Sequence, residues 1–398
     1  MDLIINNRDN YEHLDIEKFS KCLLNPDACY KFYWLEAILN ILANSSETKF
    51  TFDVIADEMI LNAWNTVLKY HIHLGNLRMD GSSEDALESI ILTLFKYSNQ
   101  GYKITKREIK VKIKEYSTII KKDKEILLTM VPYRLLKPFV ESKYKNYDLK
   151  RLLNNSKRAT AYFEIRNQEI LLPYLIHLGS DISSNSIEVS KEWATMMREN
   201  YVIIMDWIQY NKALYLQQKN PSVPGIVYKI SDYEESPRYM GDARKMWLYA
   251  LTHSGEAIAN DIYSNLKLET DFALDHYIPR NFVESDELWN LIPANKSVNS
   301  SKNDGIPDWN KYYHGFSKMQ FTLYQSINTC EYSRNLFEKC RKHNLSEPWS
   351  VQLLYVDGNT YPGFDQILSE HLKPIYNAAL LQGFSRWSYT PILKDNKS

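Results

Sequence analysis

Apolar residues recur at helical spacing along most of this chain. Between Tyr30 and Ala43 they fall at Phe32, Leu35, Ile38, Leu39 and Leu42, the stripe of an amphipathic helix. Phe52 to Leu68 repeats the pattern with Ile55, Met59, Ile60, Trp64, Val67 and Leu68, and Thr51 stands where an N-cap belongs. Both stripes predict helix-bundle core. Residues 161–218 carry the same period, ending in YVIIMDWIQYNKALYLQQ, and it returns from about residue 316, as in FDQILSEHLKPIYNAALLQGF. The clearest break is KNPSVPGIVYKISDYEESPRYMGD, with Pro221, Pro224, Gly225, Pro237 and Gly241. It predicts an ordered linker after a helical N-terminal lobe. One later stretch departs from the helical period: LDHYIPRNFVESDELWNLIPANKSVNSSKNDGIPD, residues 274–308. It predicts a short strand over residues 273–278, a polar loop, a second strand over Leu288–Ile292, and a polar helix start from Asn295 through Asn299 to Lys302.

Composition narrows the class. Hydrophobic residues make up 44% and charged residues 24% of 398, which excludes a disordered or collagen-like chain. The 12 glycines and 14 prolines favour long helices over turn-rich β structure. The net charge of -1 excludes a basic nucleic-acid coat. That total hides segregation, because residues 101–160 hold 17 Lys or Arg against 6 Asp or Glu, a net of +11. This basic stretch is either a solvated face or a surface that tracks phosphates. The four cysteines, Cys22, Cys29, Cys330 and Cys340, form no Cys-x-x-Cys pair and read as small buried apolar residues. His71 and His73 form a His-x-His with no further ligands nearby. With no leader-like N-terminus and no bilayer-length apolar run, the expectation is a cytoplasmic protein with no membrane partner.

The chemistry concentrates in residues 274–308. Asp275 and His276 are adjacent on the first strand, so strand alternation sends them to opposite faces. A strand carboxylate and an amide oxygen from the helix, Asn299, are hard oxygen ligands of the kind Mg²⁺ takes. A neutral histidine beside them is able to remove a proton from water near pH 7. Lys302 lies about one turn beyond Asn299, within reach of a phosphate. Hydrolysis of a phosphodiester needs such a set. The alternative is a buried His paired with Asp in a hairpin, with asparagines serving turns and a cap. That accounts for each residue singly but not for their joint spacing.

The ordered set Asp275-His276, Pro279, Asn290-Leu291, Pro293, Asn299, Lys302, Asp304 resembles the ββα-metal motif of HNH endonucleases. It is most similar to the Asn-terminated HNH domains of prokaryotic defence and RNA-guided nucleases. The resemblance implies His276 as general base, Asp275 and Asn299 as ligands of one divalent metal, and Asn290 as the residue that ties the loop and orients the histidine. It puts Lys302 near the scissile phosphate and Asp304 further out. It implies Mg²⁺, with Mn²⁺ as a substitute, and a DNA substrate cut to a 5′-phosphate and a 3′-hydroxyl. Arg280 and Arg244 either reach a phosphate or serve the surface. No Cys-x-x-Cys flanks the motif, so no structural zinc is expected; Trp247, Leu248, Ile262, Leu266, Leu268 and Trp289 are candidates to hold the hairpin by packing.

The expected fold is mainly α with an embedded small α+β module. A helical lobe spans 1–235, with a DNA or partner role for 101–160; the HNH module spans 236–315; a helical C-terminal segment spans 316–398 and packs on the module. The expected function is a Mg²⁺-dependent DNA endonuclease, in restriction or anti-phage defence. Two rivals stand beside it: a nuclease subunit gated by a regulatory protein partner, and a nucleic-acid-binding module with a structural HNH unit. One such site cuts one strand, so a double-strand break calls for a homodimer or successive nicks.

Overall fold

Thr51 caps the helix it precedes: its hydroxyl accepts from the Val54 amide at 3.3 Å, and the helix Phe52–Leu68 follows. The stripe before it forms the helix Tyr30–Asn44. The two pack together, with Trp34 and Trp64 buried between helices. The computed structural model describes residues 3–24, 26, 28–98, 101–144, 146–230, 238–253 and 260–391. It is 61% helical with a few short sheets, mainly α with a small α+β module. Its contacts divide the chain into two units, Met1–Pro221 with Ile226–Asp232, and Ser222–Gly225 with Tyr233–Ser398.

In the N-terminal unit the helices Ala86–Ser98, Ser117–Leu135, Lys191–Glu199 and Tyr201–Lys219 close around the first two. The apolar period of residues 161–218 predicts helix throughout, and here the structure differs. Strands β1 (Lys49–Thr51), β2 (Leu175–His177) and β3 (Ser186–Glu188) form an antiparallel sheet in the order β1-β3-β2. Phe50 and Ile176 both register on Ile187. Strands of three residues are too short to show period-two alternation, and their pairing is long-range. His73 Nδ1 lies 2.9 Å from Glu88 Oε1. Cys22, Cys29 and Cys340 are buried, Cys330 is partly exposed, and all four are free thiols.

In the C-terminal unit the helix Gly241–His253 packs on Trp309–Thr329 and Glu331–Asn344. The hairpin of β4 (Ala273–His276) and β5 (Leu291–Ala294) rests on Trp309–Thr329. The helix Lys296–Lys302 crosses β4. After it, β6 (Ile306–Pro307) pairs in parallel with β7 (Arg386–Trp387), beyond the helix Tyr361–Leu381. Among the described residues no helix is long and apolar enough to cross a membrane.

Candidate active site

The second strand is displaced from its predicted place. Leu288–Asn290 form a 3₁₀ turn, and β5 starts at Leu291. The cause is Asn290, which is fully buried and spends its amide on the other strand's exit. Its Oδ1 accepts from Ile278 N at 2.7 Å, and its Nδ2 donates to Ile278 O at 2.8 Å. Gln320, on the long helix beneath, donates to the carbonyls of Leu288, Trp289 and Leu291 at 3.3, 3.2 and 2.8 Å. These bonds satisfy buried backbone where the ladder has not begun.

The pairing sets Asp275 opposite Ile292 and His276 opposite Leu291. Alternation then separates the adjacent side chains. Asp275 Oδ2 accepts from the Tyr263 hydroxyl at 2.7 Å, and its Oδ1 from Lys302 Nζ at 3.0 Å. Lys302 also donates to the His276 carbonyl at 2.6 Å. Burial and the neighbouring Asp275 push the Tyr263 hydroxyl well above its usual value, so it stays a donor. Both partners of the Asp275–Lys302 pair are almost fully buried. Lys302 is therefore a buried counter-ion to Asp275 as well as a residue of the motif.

His276 takes the other direction. Its Nε2 lies 2.8 Å from Asp286 Oδ1. Burial raises the Asp286 carboxyl, but bonds from His276 and Arg238 outweigh it and hold the group well below the carboxylate range. Arg238 grips Asp286 with two donors, Nε at 3.1 Å and a terminal nitrogen at 2.9 Å. Arg280 Nε lies 3.4 Å from the same carboxylate, and Asn344 donates to the Asp286 carbonyl at 3.0 Å. Burial pushes the His276 imidazole below its usual value, against the opposing pull of Asp286. The ring is thus neutral near pH 7. An ionised Asp286 only accepts, so Nε2 carries the hydrogen and Nδ1 keeps the lone pair.

The remaining predicted residues fall as follows. Asn299 is partly exposed, one turn before Lys302 on the helix that crosses β4. Asp304 accepts from Asn281 Nδ2 at 2.9 Å. Arg244 bonds the Phe272 carbonyl and Asp271, at 3.2 Å for the latter, with its guanidinium 4.6 Å from the Phe272 ring centre. It braces the entry to β4, while Arg280 belongs to the Asp286 cluster. Trp247 and Trp289 are buried as expected, but Leu248 and Leu266 are exposed. Tyr277 and Phe282 take the packing role, on Phe316 at 4.1 Å and Phe384 at 5.7 Å between ring centres.

Sequence reasoning missed Asp286, Arg238, Tyr263, Gln320 and Asp261. Asp261 is fully buried and accepts from the Asn295 amide at 2.6 Å, tying the chain before β4 to the start of the crossing helix. Asp286 stands in the polar loop RNFVESDE, ten residues after His276, and a loop carboxylate near a histidine is the one signal that was available. Arg238 and Gln320 reach the site only through tertiary structure.

A strand-borne Asp-His pair, crossed by a helix carrying Asn299 and Lys302, makes a small hairpin–helix module. Residues 253–308, about a seventh of the chain, match the family model described as HNH endonuclease. No curated protein and no solved structure matches the chain.

Proposed function

We propose that this module is a metal-dependent DNA endonuclease acting with His276 as general base. What carries the reading is the union of the HNH match with the buried pair of His276 and Asp275 under the crossing helix. Among the described residues no three His, Cys, Asp or Glu side chains converge as a metal-binding group. One carboxylate and one amide oxygen nevertheless suit a hard divalent ion that draws its other ligands from water and phosphate. Asp275 and Asn299 fit Mg²⁺, or Mn²⁺, provided Lys302 leaves Asp275 Oδ1. Lys302 keeps a second anchor on the His276 carbonyl. When bound, the ion polarises the phosphate and stabilises the leaving 3′-oxygen.

The chain's own groups do the rest. Asp286, clamped by Arg238, holds the imidazole through Nε2, so the proton from water is taken at Nδ1. Asn290 fixes the backbone just past His276. Lys302, once released from Asp275, sets a positive charge beside the phosphate. The Asp275–Lys302 pairing favours a second reading: a subunit at rest until a regulatory protein or a second copy acts. We propose restriction or anti-phage defence in the cytoplasm as the setting, on the family resemblance.

The test is supercoiled plasmid with Mg²⁺ or Mn²⁺, with EDTA and His276→Ala as controls. Metal-dependent nicking that falls by at least about 100-fold in the variant is expected. Equal nicking by wild type and His276→Ala overturns the general base. No cutting in any metal, by protein that binds DNA, favours the gated subunit or the binding module. Phage plating on cells carrying either form tests the setting.

A further inference from the structure

A cleft of about 1020 Å³ opens within the N-terminal unit, lined by the helices Phe52–Leu68, Lys106–Glu115 and Ser117–Leu135. That is the upper end of small-ligand sites, which run to about 1,000 Å³. Lys106, Lys110 and Lys114 line it at four-residue steps along one helix face, and Lys121 joins them. All four are exposed. Lys106, Lys110 and Lys114 enter none of the ion pairs among the described residues. A row of like charges at this spacing is destabilising unless something anionic covers it.

Carboxylates line the same cleft: Asp53, Asp57 and Glu58 from the helix Phe52–Leu68, and Asp181. At one point the two signs close up, where buried Lys124 meets Asp53 at 2.5 Å and Asp57 at 2.6 Å. Elsewhere they stay apart. Burial raises the Asp57 carboxyl, and Lys110 is among the charges opposing this through space. Ile41, Leu61 and Ile113 add an apolar lining. Five lysines against four carboxylates leave one excess positive charge. Four carboxylates share the lining with the lysines and repel a duplex that is anionic along both strands. A ligand with a compact polyanion, a flat apolar ring and hydrogen-bond donors matches the lysines, the apolar side chains and the carboxylates of the lining.

We propose that this cleft binds a nucleoside polyphosphate. Its phosphates lie on Lys106, Lys110 and Lys114, its base against Ile41 and Leu61, and its sugar hydroxyls and exocyclic amino groups donate to the carboxylates. The chain has no GxxxxGK[ST] loop, so the grip comes from side chains and not from a backbone cradle. The inference stands apart from the nuclease reading, since no residue of the HNH module takes part.

Calorimetric titration of the full chain with ATP, GTP, CTP and UTP tests it, with adenosine, inorganic triphosphate and a short DNA duplex as comparators. At least one nucleotide should bind about tenfold or more tighter than triphosphate or adenosine. Lys110→Gln with Lys114→Gln should weaken it at least about tenfold, with a melting temperature no lower than that of the wild type showing that the fold is intact. Glu58→Gln should change the preference among the four bases. Triphosphate binding as tightly as any nucleotide reduces the cleft to an anion patch and overturns the proposal. Duplex binding that the lysine variant weakens and nucleotides do not compete overturns it in favour of phosphate tracking. No binding by any of the four overturns it outright.

Discussion

Asp275 and His276 are neighbours in the chain but not in their surroundings. One faces a phenol and an ammonium, the other a carboxylate that Arg238 holds ionised. The pattern of residues makes the pair legible, because adjacent strand positions must diverge. It does not reveal Asp286, which becomes a partner only when the loop folds back over β4. Asp286→Asn keeps the size and loses the charge that fixes Nε2–H. We expect kcat for plasmid nicking to fall about 10²- to 10⁴-fold with KM for DNA little changed, because an amide no longer fixes the tautomer of the proposed base. Steady-state kinetics checks this. A faster variant would mean that Asp286 restrains His276 and does not position it.

At the level of elements, the short and the long behave differently. The helices Tyr30–Asn44 and Phe52–Leu68 lie where their stripes put them, within a residue at the ends. The three-residue strands β1, β2 and β3 do not announce themselves; β4 lies within its predicted span, and β5 begins three residues late because Asn290 and Gln320 take the backbone before it. The turn after the crossing helix depends on a close approach. A Cβ on Gly305 would lie 2.6 Å from Trp387 Cβ and 2.9 Å from the Lys302 carbonyl. Gly305→Ala should cost about 1–3 kcal/mol of stability through overpacking and lower nicking by shifting Lys302. Urea unfolding beside the nicking assay measures both. Full stability in this variant would remove β7 from the support of the site.

Over the whole molecule, charge is segregated and some of it is buried. Asp85 lies in the N-terminal unit, accepting from Glu88 N at 3.0 Å and from the Cys29 thiol at 3.5 Å. Burial, then the nearby Glu88, pushes its carboxyl up to about 6, against hydrogen bonds that oppose the rise. A raised carboxyl pKa means that the folded form holds the proton more tightly. Its contribution is therefore complete below the unfolded value of about 3.9 and is lost as pH rises through about 6. A rise of this size corresponds to about 3 kcal/mol. Asp85→Asn keeps the acceptor for Glu88 N and removes the titration. Its stability advantage over wild type should grow by about 2–3 kcal/mol between pH 4 and pH 7. Denaturant unfolding at several pH values decides this; a constant difference refutes it.

The sequence by itself determined the helical class, the long core helices, the charge segregation and the ordered Asp-His…Asn…Asn…Lys set. Each of these is carried by local periodicity or by spacing along one continuous segment. Only the tertiary structure decided what faces each of those residues: Tyr263 and Lys302 on Asp275, Asp286 and Arg238 on His276, and Gln320 under the turn. The bonded pairs lie up to 48 residues apart in the chain, Arg238 and Asp286 being the widest. The same holds for the cleft, where the lysines sit in one segment and the acids facing them come from others. Burial and charge pairing across such separations depend on how helices pack, and a linear pattern records only which face of each helix is apolar.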